Sequence, residues 1–357
     1  MNLAVWGHLW TDADREGDVD AIVRRCRDAG IGTYLCHTYP IARNASGYFS
    51  PGLTYDATVF QAESQDLLSP LLRSAAREGV EVEPWLLPFT ADLLKGESRE
   101  DLFPRRAYQS AEYAGLVPGI DTEAPDLPGA AKNGATLCPS WPENRARAMR
   151  ILDDLVERCG ADLTGIDLDM VRYPNADTSW HHPCHCEACR AAYRERLGVD
   201  VLGEEDLQRP GVAYELTRFR NDVIGGMVEE MRYITSKAGL RLTMSARADL
   251  YDSAVLEGQD WPRWAREGLV DAVFTMSYWT DREIHLGHAR EHAAAMGSRG
   301  SCLHFDGVGR RSSMGENAID QVLDLARDAV EAGADGVSIF HYNAMADDDF
   351  TRLRELA

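Results

Sequence analysis

The sequence predicts an α/β protein, a single (β/α)8 barrel occupying residues 1–357. Two observations carry the prediction: an eight-fold alternation of strand-like and helix-like segments, and a glycine closing each helix before the next strand. The strand-like runs are NLAVWGHLW, GTYLCHTY, VEVEPWLLPF, LTGIDLDMVRY, LRLTMSAR, VDAVFTMSYW, SCLHFDG and DGVSIFHYN. Between them lie segments such as DVDAIVRRCRDAG, SPLLRSAAREG, RAMRILDDLVERCG and AIDQVLDLARDAVEAG. Their apolar residues return every three or four positions, the helix period. Gly30, Gly79, Gly160, Gly239, Gly268, Gly297 and Gly333 end these helices. Each is expected in the left-handed conformation that turns the chain back. Parallel neighbours need crossover helices, and eight such units close a barrel. An open doubly wound sheet would favour a Gly-rich phosphate loop after an early strand, whereas the first strand runs into HLWTDADREG.

Helix-to-strand connections are short. Those after the second, third and fourth strands, about 40–63, 90–142 and 174–211, are long and rich in Pro, Gly, Trp and Tyr. Long loops are usually functional, and in a barrel they gather at the C-terminal face, where active sites lie. A tip on the 90–142 loop would be placed to complete a neighbour's site in a homo-oligomer. No segment reads as a linker between domains.

Acidic residues outnumber basic ones, 58 to 37, for a formal net charge of −21. Such a surface repels phosphate backbones and anionic lipids, which argues against nucleic-acid and membrane partners. No run approaches the roughly 18 apolar residues that span a bilayer. The start, MNLAVWGHLWTDADREGD, reads as a first strand rather than a signal peptide. Cys26, Cys36, Cys159 and Cys302 stand singly in helix or strand patterns, as small buried thiols do. A reducing cytoplasm is the expected location, and no organic cofactor is expected.

In GIDLDMVRYP, period-two alternation puts Asp167 and Asp169 on one side of the strand, with Leu168 and Met170 facing the helices. Two inward acids are costly to bury without a purpose. The bland alternative pairs them with Arg172, Arg247 or a neighbouring strand, and it weighs more on the deeper Asp167. Other strand ends add Glu83 and Trp85, Arg247 and Asp249, and Tyr278, Trp279 and Asp281. The seventh brings His304 and Asp306, and the eighth His341, Tyr342 and Asn343. Each alone reads equally well as an ordinary hydrogen-bonding residue. Together, with Arg172, they would line one mouth. Aromatic faces stack on the apolar side of a sugar ring, while acids and imidazoles bind its hydroxyls. Glycoside hydrolysis needs two carboxyls across the scissile bond, one to protonate the leaving oxygen and one to attack or to activate water.

These residues carry a resemblance. CPSWPENRARAMRILDDLVERCGADLTGIDLDMVRYP resembles the CP-x-x-PE-x-R … DGI-x-LD-x-x-RYP run of glycosyl hydrolase-like TIM-barrel families, closest to the family-ten hypothetical glycosidases. VFTMSYW and DGVSIFHY are similar to that group's ITPQLYW and GVVLFSY strands. The likeness spans most of the barrel and implies a glycosidase acting on a carbohydrate, with Asp169 as the leading catalytic acid. The placement of Asp169 also resembles the nucleophile strand of the α-amylase barrels, where further acids end strands five and seven. Asp249 and Asp306 take those places by strand count, with Arg247 close to the first of them.

In HHPCHCEACR, Cys184, Cys186 and Cys189 form C-x-C-x2-C. The last two are spaced to open a helix and share its face. Thiolates so placed suit tetrahedral zinc, with Cys138 as candidate fourth ligand and His181, His182 and His185 as alternatives. A redox pair and unliganded thiols are the other readings. The cluster resembles the zinc cluster of some β-galactosidase barrels and the CFCEHC segment of the hypothetical glycosidases. A four-ligand site is closed to water, so the zinc is expected to be structural.

Two rival functions use the same barrel. A metal-dependent sugar isomerase or epimerase, or another barrel hydrolase, would bind Mn2+ or Mg2+ through Glu83, Asp169, His304 and Asp306. The first strand, however, offers only His8, without the H-x-H of amidohydrolase barrels. A non-catalytic carbohydrate-binding barrel would keep the aromatics and dispense with the acid pair.

Overall fold

The computed structural model describes residues 1–37, 67–89, 137–173, 186–199, 209–297 and 300–356. Eight parallel strands close into a barrel: β1 (Asn2–His8), β2 (Thr33–His37), β3 (Glu81–Leu86), β4 (Gly165–Leu168), β5 (Arg241–Ala246), β6 (Ala272–Thr275), β7 (Leu303–Gly309) and β8 (Gly336–Phe340). Each pairs with its sequence neighbours, and β1 closes the ring against β8. Around them lie α1 (Leu9–Glu16), α2 (Val19–Asp28), α3 (Leu68–Glu78), α4 (Pro142–Cys159), α5 (Glu187–Leu197), α6 (Pro210–Lys237), α7 (Trp261–Glu267), α8 (Arg282–Met296), α9 (Ile319–Glu331) and α10 (Asp347–Leu353). None of the described helices is long and apolar enough to cross a membrane.

Both faces of each strand are buried, and the two faces belong to different cores. Outward residues such as Val5, Ile166, Leu242, Val273 and Ile339 pack against the helices. Inward residues Ala4, Trp6, Leu35, Trp85, Phe274 and Phe305 fill the lumen. The register aligns Trp85, Asp167, Thr243, Ala272 and Leu303 across β3 to β7 as one row of inward positions.

The structure adjusts three sequence expectations. The first strand stops at His8, and α1 begins at once. Gly160 is right-handed (φ −55°), unlike the other helix-closing glycines, because α4 simply continues into it and its N–H still bonds back to Val156. Met170 does not face the helices. It takes a left-handed φ of 54° just beyond β4, which turns its side chain onto the lumen cluster. The three long connections expected at about 40–63, 90–142 and 174–211 fall mostly outside the described residues, α5 and the last turn before α4 excepted.

Candidate active site

β4 delivers its two acids to the lumen as the alternation requires, at two depths. Asp167 is fully buried. The Thr243 hydroxyl donates to its Oδ1 at 3.0 Å, and the Ser245 hydroxyl donates to Oδ2. Burial pushes the Asp167 carboxyl well up, and the nearby charges of Asp169 and Glu83 push it further.

Asp169 lies just past the strand, half-buried, its N–H donating to the Leu86 carbonyl at 2.9 Å. Its Oδ1 is shielded from solvent yet has no hydrogen-bond partner among the described residues. Burial raises its pKa to about 6, against the pull of the Arg172 guanidinium and the Met170 N–H.

Arg172 is not open to a substrate. It is buried in an ion pair with Glu257, which also stands 3.6 Å from Arg247. Arg247 pairs in turn with Asp252 at 2.8 Å. Asp249, expected as a catalytic acid, accepts the Asp252 N–H at 2.9 Å and so caps the irregular turn that follows β5. Glu257 closes that turn and was not singled out from the sequence. Nothing in its local pattern marks it; its role comes from the two arginines packed on it.

The opposite side of the mouth is aromatic and imidazole-rich. His37 stacks on Trp85, ring centroids 4.0 Å apart, and His8 packs edge-on to His37, Trp85 and His341 at 5.7, 5.5 and 5.7 Å. Trp85 donates its indole N–H to the Gly7 carbonyl at 3.2 Å. Burial, and then the charge of His341, lowers the His8 pKa to about 4, and burial also depresses His37 and His341. All three rings are therefore neutral near pH 7. His37 went unnoticed in the sequence, although LCH ends β2 as WGH ends β1. Tyr278 stacks on Phe340 at 4.7 Å and covers Gly307, where a Cβ would meet the tyrosine ring at 2.9 Å and collide with the Thr275 carbonyl. Burial, then the charges of Asp169 and Asp167, keeps the Tyr278 phenol protonated.

Seven residues expected at the mouth lie elsewhere. Glu83 belongs to the barrel's opposite, N-terminal end, bound by Arg241 Nε at 3.0 Å and the Thr243 hydroxyl at 2.8 Å. There it borders a cavity of about 420 Å³ with Thr33, Glu81, Arg241 and Leu303. Its position is the third residue of β3, too near the strand's start to reach the mouth. Trp279 stacks on His288 of α8 at 4.1 Å. His304 and Asp306 face outward, beneath α8. Phe305 takes the inward position by stacking on Phe274 at 4.8 Å, and Gly307 takes the next by making room for Tyr278. The cation set Glu83, Asp169, His304 and Asp306 is therefore divided among the base, the mouth and the outer wall. Asp281 caps α8, accepting the Glu283 and Ile284 N–H groups at 2.9 and 3.1 Å. Tyr342 is buried, and Asn343 donates to Asp12.

Cys138, Cys186 and Cys189 converge beside this end of the barrel. The Cys138 sulfur is 3.5 Å from that of Cys189 and 3.6 Å from that of Cys186. Cys186 caps α5, and Cys189 lies in its first turn, as the spacing predicts. Cys184, His181, His182 and His185 lie outside the described residues.

No protein-family model and no curated protein matches the chain. Solved structures do. The PgaB (BpsB) glycoside hydrolase domain of Bordetella bronchiseptica superimposes with a TM-score of 0.70 at 14% identity, covering 100% of this chain and 98% of that one. A β-galactosidase from the psychrophilic Marinomonas ef1 gives 0.65 at 12% identity, over 100% of this chain and 59% of that one. The catalytic domain of β-amylase from Paenibacillus polymyxa gives 0.58 at 9% identity, over 98% and 94%. At such identities the likeness is one of fold, the (β/α)8 barrel.

Proposed function

We propose that this barrel is a glycoside hydrolase acting on an oligosaccharide or glycoside, with Asp169 as its general acid. The observation that carries this reading is the Asp169 carboxyl itself, at the C-terminal end of β4, with a pKa near 6 and an oxygen that no described group engages. A proton donor works best when its pKa lies near the working pH. The barrel likeness to glycoside hydrolases supports the same reading.

In this reading Asp169 protonates the departing glycosidic oxygen as its bond to the anomeric carbon breaks; water bonds to that carbon, and the proton it gives up restores the Asp169 acid. The carboxylate left behind lies near Arg172, whose charge favours it. Glu257 holds Arg172 back from forming a full ion pair with Asp169, which leaves the Asp169 carboxyl raised. Asp167, bound by two hydroxyls, fixes the floor below. Neutral His8 and His341 and the Tyr278 phenol offer hydrogen bonds to sugar hydroxyls without adding charge.

The thiols of Cys138, Cys186 and Cys189 fit a structural zinc. Sulfurs about 2.3 Å from a tetrahedral zinc lie roughly 3.7 Å from one another, close to the separations here. The fourth ligand would come from Cys184 or one of the neighbouring histidines, and the ion would tie α5 to the segment before α4.

The test is sugar release from a broad panel of α- and β-linked aryl glycosides and oligosaccharides by wild type and Asp169→Asn, with and without chelator. Release that the substitution abolishes and chelator spares supports the reading. Release that survives the substitution removes Asp169 from the chemistry.

A further inference from the structure

Asp306 is the hub of a second polar cluster, on the outer face of β7 and separated from the mouth by the barrel wall. His285 and His292 reach it from α8, Thr275 from β6 and Ser277 just beyond it, and His304 from β7 itself. All six side chains are buried. Its Oδ1 accepts the Thr275 and Ser277 hydroxyls at 2.6 and 2.9 Å.

The ring hydrogen bonds fix where two protons must be. His292 Nε2 lies 2.6 Å from the Ala248 carbonyl, and His285 Nδ1 lies 2.9 Å from the Ser277 carbonyl. A carbonyl only accepts, so each of these nitrogens carries its hydrogen. The other nitrogen of each ring then faces the carboxylate: His292 Nδ1 is 3.2 Å from Oδ1, and His285 Nε2 is 3.2 Å from Oδ2. In a neutral imidazole that second nitrogen is a bare acceptor, and so is a carboxylate oxygen. Two acceptor-to-acceptor contacts in a buried site are unfavourable. The contacts are relieved by further protons on the rings or, at His292, by a divalent cation between nitrogen and oxygen.

Geometry favours the cation. The nearest ligand atoms of His292, His304 and Asp306 all lie within 4.8 Å of one another. Donors about 2.0–2.2 Å from a tetrahedral zinc lie roughly 3.3 Å apart. The imidazole-to-carboxylate separations are 3.2 Å for His292 and 3.8 Å for His304. A ring nitrogen held by a backbone carbonyl is also the support that metal-binding histidines use to orient the other nitrogen.

We propose that His292 Nδ1, His304 Nε2 and the Asp306 carboxylate bind a zinc ion inside the barrel wall, with His285 Nε2 beside the second carboxylate oxygen. The site is buried in the barrel wall, so its role is structural. It clamps α8 to β7, beside Gly307 and the Tyr278 ring that covers it. It is independent of the Cys138 cluster and of the glycosidase reading.

The test is zinc per chain in the full-length protein, by elemental analysis after loading with zinc and removal of loosely held metal. His304→Gln and Asp306→Asn are each expected to hold one zinc fewer than wild type, while Cys189→Ser loses its zinc separately. A wild-type count that His304→Gln and Asp306→Asn leave unchanged overturns the proposal. Should those variants fail to fold, nitrogen NMR of the histidine rings in wild type decides the matter. The expected result is one ring N–H on His292, with a second appearing when chelator strips the metal. Two N–H groups on His292 in the zinc-loaded protein overturn it.

Discussion

Arg172 and Glu257 form an ion pair with almost no solvent on either side, their side chains 5% and 0% exposed. The pair sits just beyond Asp169, and Arg172 is the charge that most lowers the Asp169 pKa. Glu257→Gln removes the countercharge and leaves Arg172 acting on Asp169 alone. Two effects are expected. Breaking a buried pair by removing one partner costs about 3–5 kcal/mol, read by urea unfolding. In the protein that remains folded, the alkaline limb of kcat/KM moves to lower pH, because Asp169 gives up its proton earlier. An unchanged limb would separate Glu257 from the acid.

The raised pKa of Asp169 is also a stability statement. Its folded value near 6 lies above the ordinary 3.8, so its contribution is fully present below pH 3.8 and is lost as pH rises through 6. The difference between those two values is worth up to about 3 kcal/mol. Asp169→Asn carries no such charge. The variant is therefore expected to gain stability relative to wild type between pH 4 and pH 8, most of it below pH 7. Denaturant midpoints for both proteins across that range check this; a constant difference would mean that the carboxyl is not raised.

At the other end of the barrel, Glu83 answers to Arg241 and Thr243. Arg241→Met is expected to cost about 3–5 kcal/mol by stranding a buried carboxylate, while Glu83→Gln at the same site costs less. Neither change touches the mouth, so hydrolysis per folded molecule stays within about two-fold of wild type. A selective loss of KM in Glu83→Gln would return that residue to the substrate.

The barrel and the pair Asp167 and Asp169 were legible because their signals are periodic: helices between strands, glycines at helix ends, and acids two apart on one strand. The convergence of Cys138 on Cys186 and Cys189 was legible because each flanks a helix start. His304 and Asp306 were not. When both faces of a strand are buried, polarity no longer says which face is inward; the bulk of Phe305 and the vacancy at Gly307 decide it. Glu83 was misplaced because sequence names the strand but not the depth. Glu257 was invisible because its function lies in contacts with Arg172 and Arg247, distant in sequence and joined only by packing.

The most direct test of Asp169 as general acid compares leaving groups. Wild type and Asp169→Asn would be assayed on one glycone carried by an unactivated alcohol and by a strongly acidic phenol. A departing phenolate needs no proton, whereas an alkoxide does. The expected result is a loss of about 10²–10⁴ in kcat/KM on the alkyl glycoside, with the activated aryl glycoside largely spared. Equal losses on both substrates, or none on either, would contradict the assignment.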